Sequence, residues 1–339
     1  NELPLARQVA RFVQADHREY IVEPHAAEVL DEIAWHFDEP FADSSALPTW
    51  YVCKMARQNV TVALSGDGGD ENFGGYTFRY LPHLVESRIR SAIPVIFRSP
   101  LFGFLGALYP GTKRLPQALR LKTLFENLAL SDAEAFYRDL AFLRPEDRQR
   151  LYSKDFETSL RGFTPFEMVR PLYIGGDALD PLERSQQADI SFYMTDDVLV
   201  KVDRMSMAHS LEVRCPLLDH RLMEFAATLP SRLKLNGRAG KAALRKIAAR
   251  RLPPAVLTHP KHGFEIPAAE WLRGELKGMA HDVIFRRNSI ISELFVGREK
   301  KRVWTEHQNG SRDHSVFLWG LMMFGLWEEK WGQGIGRTA

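Results

Sequence analysis

The segment from Val60 to Tyr80, VTVALSGDGGDENFGGYTFRY, constrains this chain more than any other. A β-branched run, Val60 to Leu64, reads as a buried strand and stops at Ser65-Gly66. A glycine-laced turn follows, carrying Asp67, Asp70 and Glu71. A parallel strand ending in this way offers backbone N–H groups to phosphate and carboxylates to Mg²⁺, as open α/β sheets do when they hold a nucleotide. The turn is neither a Walker A loop nor a G-x-G-x-x-G fingerprint. The competing reading is an acidic surface turn whose aspartates cap their own backbone, and composition alone leaves both open.

The whole chain sets bounds on partners. Its 339 residues are 45% hydrophobic, ample for a core, with 45 Lys and Arg against 43 Asp and Glu. A net charge of +2 gives no global field that favours nucleic acid or an anionic membrane, so neither is expected as a partner. Cys53 and Cys215 stand far apart in apolar surroundings without ligand spacing, which fits a reducing, cytoplasmic setting. The apolar run Val316 to Trp327 is shorter than the roughly 18 to 20 residues of a membrane span and reads as a buried helix. Arg98 interrupts the apolar stretch Ile93 to Tyr109. The start, NELPLARQVARF, has neither the pattern of a signal peptide nor an initiator Met, which leaves a processed product and a piece of a longer protein both open as expectations.

Along the chain, Glu19 to Val22 reads as a strand, and His25 to Phe37 as a helix entered after Pro24. A second helix from near Pro48 to Gln58 feeds the strand Val60 to Leu64, in the manner of an α/β crossover. From Phe78 the pattern is mostly helical. Pro181 to Leu211 reads as one long helix or two abutting ones, with further helices at Arg221 to Ala227, Lys241 to Arg250 and Ala268 to Met279. The expected fold is α/β, a partial open parallel sheet followed by a mostly helical region. Its parts are a nucleotide-binding portion (1–85), a helical excursion (86–180) and a helical region completing the site (181–339). Ser87 to Leu130 reads equally as a substrate-shaping insertion or a packed excursion.

Two further segments carry candidate chemistry. Asp196 to Asp219, DDVLVKVDRMSMAHSLEVRCPLLD, holds Lys201, Asp203, Arg204, His209, Glu212 and Arg214. These are too many ionisable groups for a helix that only packs, so some should face a cleft. Glu212 is either half of an ion pair with Arg214 or Arg204, or an acid–base group. In Pro260 to Phe264, PKHGF, Lys261 on a rigid loop suits an anion as a point charge, a solvated surface lysine being the plain alternative.

At these segments the chain resembles the synthetase domain of glutamine-hydrolysing asparagine synthases. The matching pieces are DEPFADSSALPTWYVCKMA (Asp38 to Ala56), VALSGDGGDENFGGY (Val62 to Tyr76), VDRMSMAHSLEVRCPLLD (Val202 to Asp219) and KAALRKIAARRLPPAVLTHPKHGFEIP (Lys241 to Pro267). The resemblance implies an adenine nucleotide alpha hydrolase-like fold. It also implies ATP-dependent activation of the aspartate side-chain carboxylate as an acyl-adenylate, then displacement of AMP by ammonia. By position, Asp70 matches the Mg²⁺-coordinating carboxylate, and Leu64-Ser65-Gly66 the contacts to nucleotide or acyl substrate. Lys261 matches the lysine that stabilises charge on the departing pyrophosphate. Asp67 falls where the family usually carries glutamate, or a tyrosine that works with a glutamate equivalent to Glu212; it is one methylene shorter than glutamate.

The family's upstream S-G-G-x-D-S loop and its amino-terminal glutaminase domain, begun by a nucleophilic cysteine, are absent from the 339 residues. A glutaminase in cis or on a partner chain is therefore expected, with a homodimer among the open oligomeric states. Two alternatives stand beside the synthase: a ligase of the same fold acting on another carboxylate, and an inactive scaffold fragment.

Overall fold

A computed structural model describes residues 2–22, 25–110, 116, 120–177, 180–258, 263 and 266–332. Within them Val62–Leu64 (β1) and Glu212–Arg214 (β2) pair in parallel, with Val62 opposite Glu212 and Leu64 opposite Arg214. The pairing is extended at both ends. Glu212 N–H donates to Thr61 O at 3.0 Å and Ser65 N–H to Arg214 O at 2.9 Å. The expected fold class holds, an open parallel sheet followed by a mostly helical region. The sheet has two strands among the described residues.

Several expectations need correcting. The strand begins at Val62 rather than Val60 and is not buried: Leu64 is 72% exposed. Paired residues of a parallel register point to one side, so Val62, Leu64, Glu212 and Arg214 share an open face. Glu19 to Val22 has no strand partner and is irregular. Ala268 to Met279 is two helices, Ala268–Arg273 and Lys277–Ile284, because Gly274 lies between them. Pro181 to Leu211 is a helical rod, but its centre is π-helical over Asp189–Val198, flanked by Pro181–Ala188 and Leu199–Met207. A wider turn of this kind often marks a functional position.

Other expected elements are present. Ala26–Phe37 buries Ala26, Val29, Leu30, Ile33, Ala34 and Phe37, a stripe at helical spacing. It packs against Ser315–Trp331, whose Leu318, Leu321, Met322 and Leu326 are buried, as expected for that apolar run. Leu47, Leu272 and Ile284 close the same core. Each such fully buried aliphatic side chain contributes about 1.5–3 kcal/mol of transfer free energy. No helix among the described residues is long and apolar enough to cross a membrane.

One buried charge pair ties the helix Thr77–Ala92 to the rod. From Thr77–Ala92, Arg79 donates to Asp189 Oδ2, and the Tyr80 hydroxyl donates to the same oxygen. All three are almost wholly buried. Burial pushes Asp189 up to about 6 even against the pull of Arg79 and Tyr80. The folded state therefore binds the proton better than the unfolded one, and this carboxyl's contribution to stability falls as pH rises from about 4 to about 6.

Arg79→Met should strand the Asp189 charge and cost about 3–5 kcal/mol at neutral pH. Denaturant melts should show that loss shrinking on acidification, as Asp189 takes up its proton. A loss independent of pH would contradict the assignment.

Candidate active site

The site is built where β1 ends. Ser65 leaves the strand with its hydroxyl donating to Asp67 Oδ2 at 2.7 Å and lying 3.2 Å from Cys215 Sγ. Cys215 follows β2 directly, so parallel pairing is what brings positions 65 and 215 together. This corrects the expectation of apolar surroundings for Cys215: it lies against a hydroxyl and within 4.0 Å of a carboxylate. Cys53 is a core thiol, pushed up to about 11 by burial. A side chain at Gly66 would meet nothing within 4 Å, so space beside the turn is open.

The turn then folds into the short helix Gly69–Phe73, entered through Gly68 at φ +82°. A Cβ on Gly68 would lie 2.1 Å from Leu218 Cδ2, so both backbone angle and packing require glycine there. Asp70, in the first turn, pairs with Lys241 Nζ at 3.1 Å. A Cβ at Gly75 would fall 1.8 Å from Asp70 Oδ1 and 2.5 Å from Lys241 Cε, so this glycine makes room for the pair. Lys241 itself holds a left-handed backbone (φ 54°) and donates its N–H to Phe73 O, which locks it to the loop. Glu71 points the other way, buried, accepting from the Tyr76 hydroxyl.

A second group of charges lines the rod. Lys201 Nζ bonds Asp43 Oδ2 at 2.7 Å and Ser45 Oγ at 2.8 Å. Burial alone would raise Asp43, but Lys201 and the Ser45 hydroxyl and amide outweigh it and hold Asp43 below the usual carboxylate range. Asp197 goes the other way. Burial, with the Asp43 charge next to it and only partly offset by Lys201, pushes it up to about 7. Tyr193 connects this group to the loop: its ring centroid is 5.8 Å from that of Tyr76, and the Arg79 guanidinium lies 5.5 Å from it. The Tyr193 hydroxyl is driven up by burial and then by Asp197 and Asp43.

Of the residues singled out in the sequence, the structure gathers Ser65, Gly66, Asp67 and Asp70 into one turn beside Cys215. Glu212 stands at the start of β2, level with Val62 rather than with the turn. It is exposed and bonded to Arg214 at 2.8 Å, which matches the ion-pair reading. Lys261 lies outside the described residues. Sequence reasoning missed Asp43, Asp197 and Lys241 as charged partners. Asp43 and Lys241 sit inside the matching pieces, while Asp197 carried only a weak signal, the second of two adjacent aspartates on a helix.

Residues 1–329 match the pattern of the family described as asparagine synthase. The chain belongs to that family. It is 34% identical over 327 residues to a putative glutamine-hydrolysing asparagine synthetase of Mycobacterium tuberculosis, covering 95% of this chain and 46% of that protein. With asparagine synthetase 1 of Bacillus subtilis, also named glutamine-hydrolysing, identity is 28% over 330 residues, covering 96% of this chain and 50% of that one. An amidase of Gibberella zeae is 22% identical over 310 residues, covering 85% of this chain and 44% of its own length. The chain thus spans about half the length of the curated relatives it matches. Family membership supports an ATP-dependent, amide-forming ligase class.

Asp43→Asn should lower the Asp197 pKa from about 7 by removing the like charge, whereas Lys201→Met should raise it. Carboxyl-carbon NMR titration reads both shifts. Movement of Asp197 in the same direction in the two variants would contradict this electrostatic arrangement.

Proposed function

We propose that the chain carries the synthetase chemistry of an asparagine synthase: ATP-dependent activation of the L-aspartate side-chain carboxylate, then amide formation with ammonia. The supporting observation is the turn at the strand end, where Ser65, Asp67 and Cys215 meet and the Asp70–Lys241 pair follows within one helical turn. Ligands of open α/β sheets bind at such strand ends.

In the first step the carboxylate attacks the α-phosphorus of ATP, forming an acyl-adenylate as the bond to pyrophosphate breaks. The Ser65 N–H is engaged by β2, so nucleotide contact at Leu64-Ser65-Gly66 falls to the Ser65 hydroxyl and to the open space beside Gly66. Lys241, with Lys261 from the following loop, supplies positive charge for the phosphate oxygens as negative charge grows on them. Asp70 would hold Mg²⁺. Among the described residues no three His, Cys, Asp or Glu side chains form a cage for a metal. That donor set fits Mg²⁺, which binds through one or two carboxylates together with substrate phosphates and water. Bound there, Mg²⁺ would supply charge neutralisation on the leaving pyrophosphate.

In the second step ammonia forms the C–N bond, the C–O bond to AMP breaks, and the nitrogen loses a proton. Asp197, poised near neutrality, is suited to accept it. Asp67 is assigned to orienting the acyl group through Ser65. Glu212, paired with Arg214 on the open sheet face, is assigned to the substrate side of that face. A glutaminase domain in cis or on a partner would supply ammonia in a cytoplasmic setting. A second reading keeps the same adenylating mechanism on another carboxylate, since one fold serves several substrates.

The test is pyrophosphate release by the longest natural form of the protein, with ATP, Mg²⁺, ammonia and a panel of carboxylates headed by L-aspartate, and mass analysis of the amide. Asparagine is the expected product. An amide of another acid moves the substrate, and silence of a folded, nucleotide-binding sample supports the scaffold alternative. Asp70→Asn should abolish release with little effect on folding. Lys261→Met should lower kcat about 10²–10³-fold while aspartate binding changes far less, because its charge acts on the transition state. Equal losses in kcat and binding would place Lys261 in ground-state binding.

A further inference from the structure

A cavity of about 680 Å³ lies on the reverse side of the helix that carries Asp70. Asn72, two positions further along Gly69–Phe73, lines it. Two helical steps of about 100° each turn a side chain nearly opposite, so Asn72 faces away from Asp70. The remaining walls include Gln186 and Ile190 of the rod, Met223 and Glu224 of the helix His220–Thr228, and Lys234 of the short helix Ser231–Lys234. Its volume is that of a site for a small molecule.

Two lining side chains are buried polar groups with bonding capacity left over. Lys234 is 3% exposed, and among the described residues its ammonium donates to Gln186 Oε1 at 3.0 Å and makes no other hydrogen bond or ion pair. An ammonium has three N–H donors, so two remain. Burial holds this lysine below the ordinary lysine range, Glu183 and Asp180 offsetting it only in part. Asn72, also 3% exposed, donates from Nδ2 to Leu217 O at 3.0 Å, while its Oδ1 accepts from no described residue. Buried donors and acceptors left unpaired are unfavourable and call for a partner.

The rim has the opposite sign. Glu224 and Asp177 are exposed and bond to no described residue, and Glu183, which accepts from the Asp180 N–H, adds a third carboxylate. An acidic rim over a buried cation selects by charge. A bare anion would be repelled at the rim, a dicarboxylate would set its second acid against it, and a bare cation would meet Lys234 at the floor. Three carboxylates against one ammonium leave room for two positive charges on a guest that also carries one carboxylate. We propose that this cavity binds an amino acid with a basic side chain. Its carboxylate takes the spare donors of Lys234, its α-ammonium the Asn72 Oδ1, and its side-chain cation Glu224 and Asp177, while its methylenes lie on Ile190 and Met223. The cavity is distinct from the turn at the end of β1, and the assignment holds whichever carboxylate that turn activates.

The test is titration calorimetry of the chain with L-arginine, with agmatine, which lacks the carboxylate, and with L-glutamate. L-arginine is expected to bind, agmatine about tenfold more weakly or worse, and L-glutamate not measurably. Glu224→Gln, on an exposed position and so neutral to folding, should weaken L-arginine binding about tenfold. Lys234→Met should erase the preference for L-arginine over agmatine; should that variant fail to fold, the agmatine comparison on the unaltered chain tests the same contact. Asp67→Asn, in the turn, should leave binding unchanged. Absence of L-arginine binding at millimolar concentration overturns the proposal, as does agmatine or L-glutamate binding as well as L-arginine. Binding that Asp67→Asn abolishes and Glu224→Gln leaves intact would place the amino acid at the turn, and likewise overturns it.

Discussion

Everything at the site depends on a few hydrogen bonds between β1 and β2. They bring residues 150 positions apart in sequence, Ser65 and Cys215, to within 3.2 Å. Parallel strands cannot be joined by a tight turn, so the whole excursion from Thr77 to the end of the rod serves as their crossover. A pair of three-residue strands is too small to hold itself together in water. It persists because the helices on either side, Ala46–Arg57 before β1 and Leu199–Met207 before β2, pack against each other. The helical core is therefore the support on which the turn after β1 rests, and damage far from the turn would reach it through strand register.

The carboxylates of the site are handled by a common device. Asp70 has Lys241, Asp43 has Lys201 and Asp189 has Arg79, each cation arriving from a distant part of the sequence. Burying such charges is unfavourable unless the partner is in place before the ligand arrives. A preplaced cation compensates the carboxylate's charge in advance, so little reorganisation is left for the reaction itself. Asp189 and Asp197 are nonetheless lifted toward neutrality, both chiefly by burial; Asp197 in addition lies beside the Asp43 charge and shares Lys201 with it.

Much of this was legible in the residues. Val60 to Leu64 followed by SGDGGDE announced a strand and a tight glycine-rich turn, because β-branched stiffness and glycine freedom act locally. The apolar spacing of Ala26 to Phe37 and the near-continuous apolar run after Ser315 announced the core for the same reason. What escaped was non-local. Glu212-Val213-Arg214 is too short to show alternation and becomes a strand only because Thr61 and Ser65 receive it. The burial of Val60 to Leu64 was overread, since a run of valines reports stiffness and not which neighbours cover it. Lys241 and Asp197 gave at most a weak signal, as a charge acquires its meaning from the partner the fold sets opposite it.

The π-helical stretch Asp189–Val198 has a geometric consequence for the rod. In an α-helix, residues four apart drift about 40° around the axis with each step, and the wider π turn drifts the opposite way. Asp189, Tyr193, Asp197 and Lys201 are spaced by four across the change from π to α winding, so the two drifts offset one another. The result is a nearly straight file of titratable groups running from the interior at Arg79, past Tyr76 at Tyr193, to Asp43. Such a file works as a ruler: deleting a single residue from it would restore regular winding, turn one end away from the other, and separate the buried Asp189 from Asp197 without removing either.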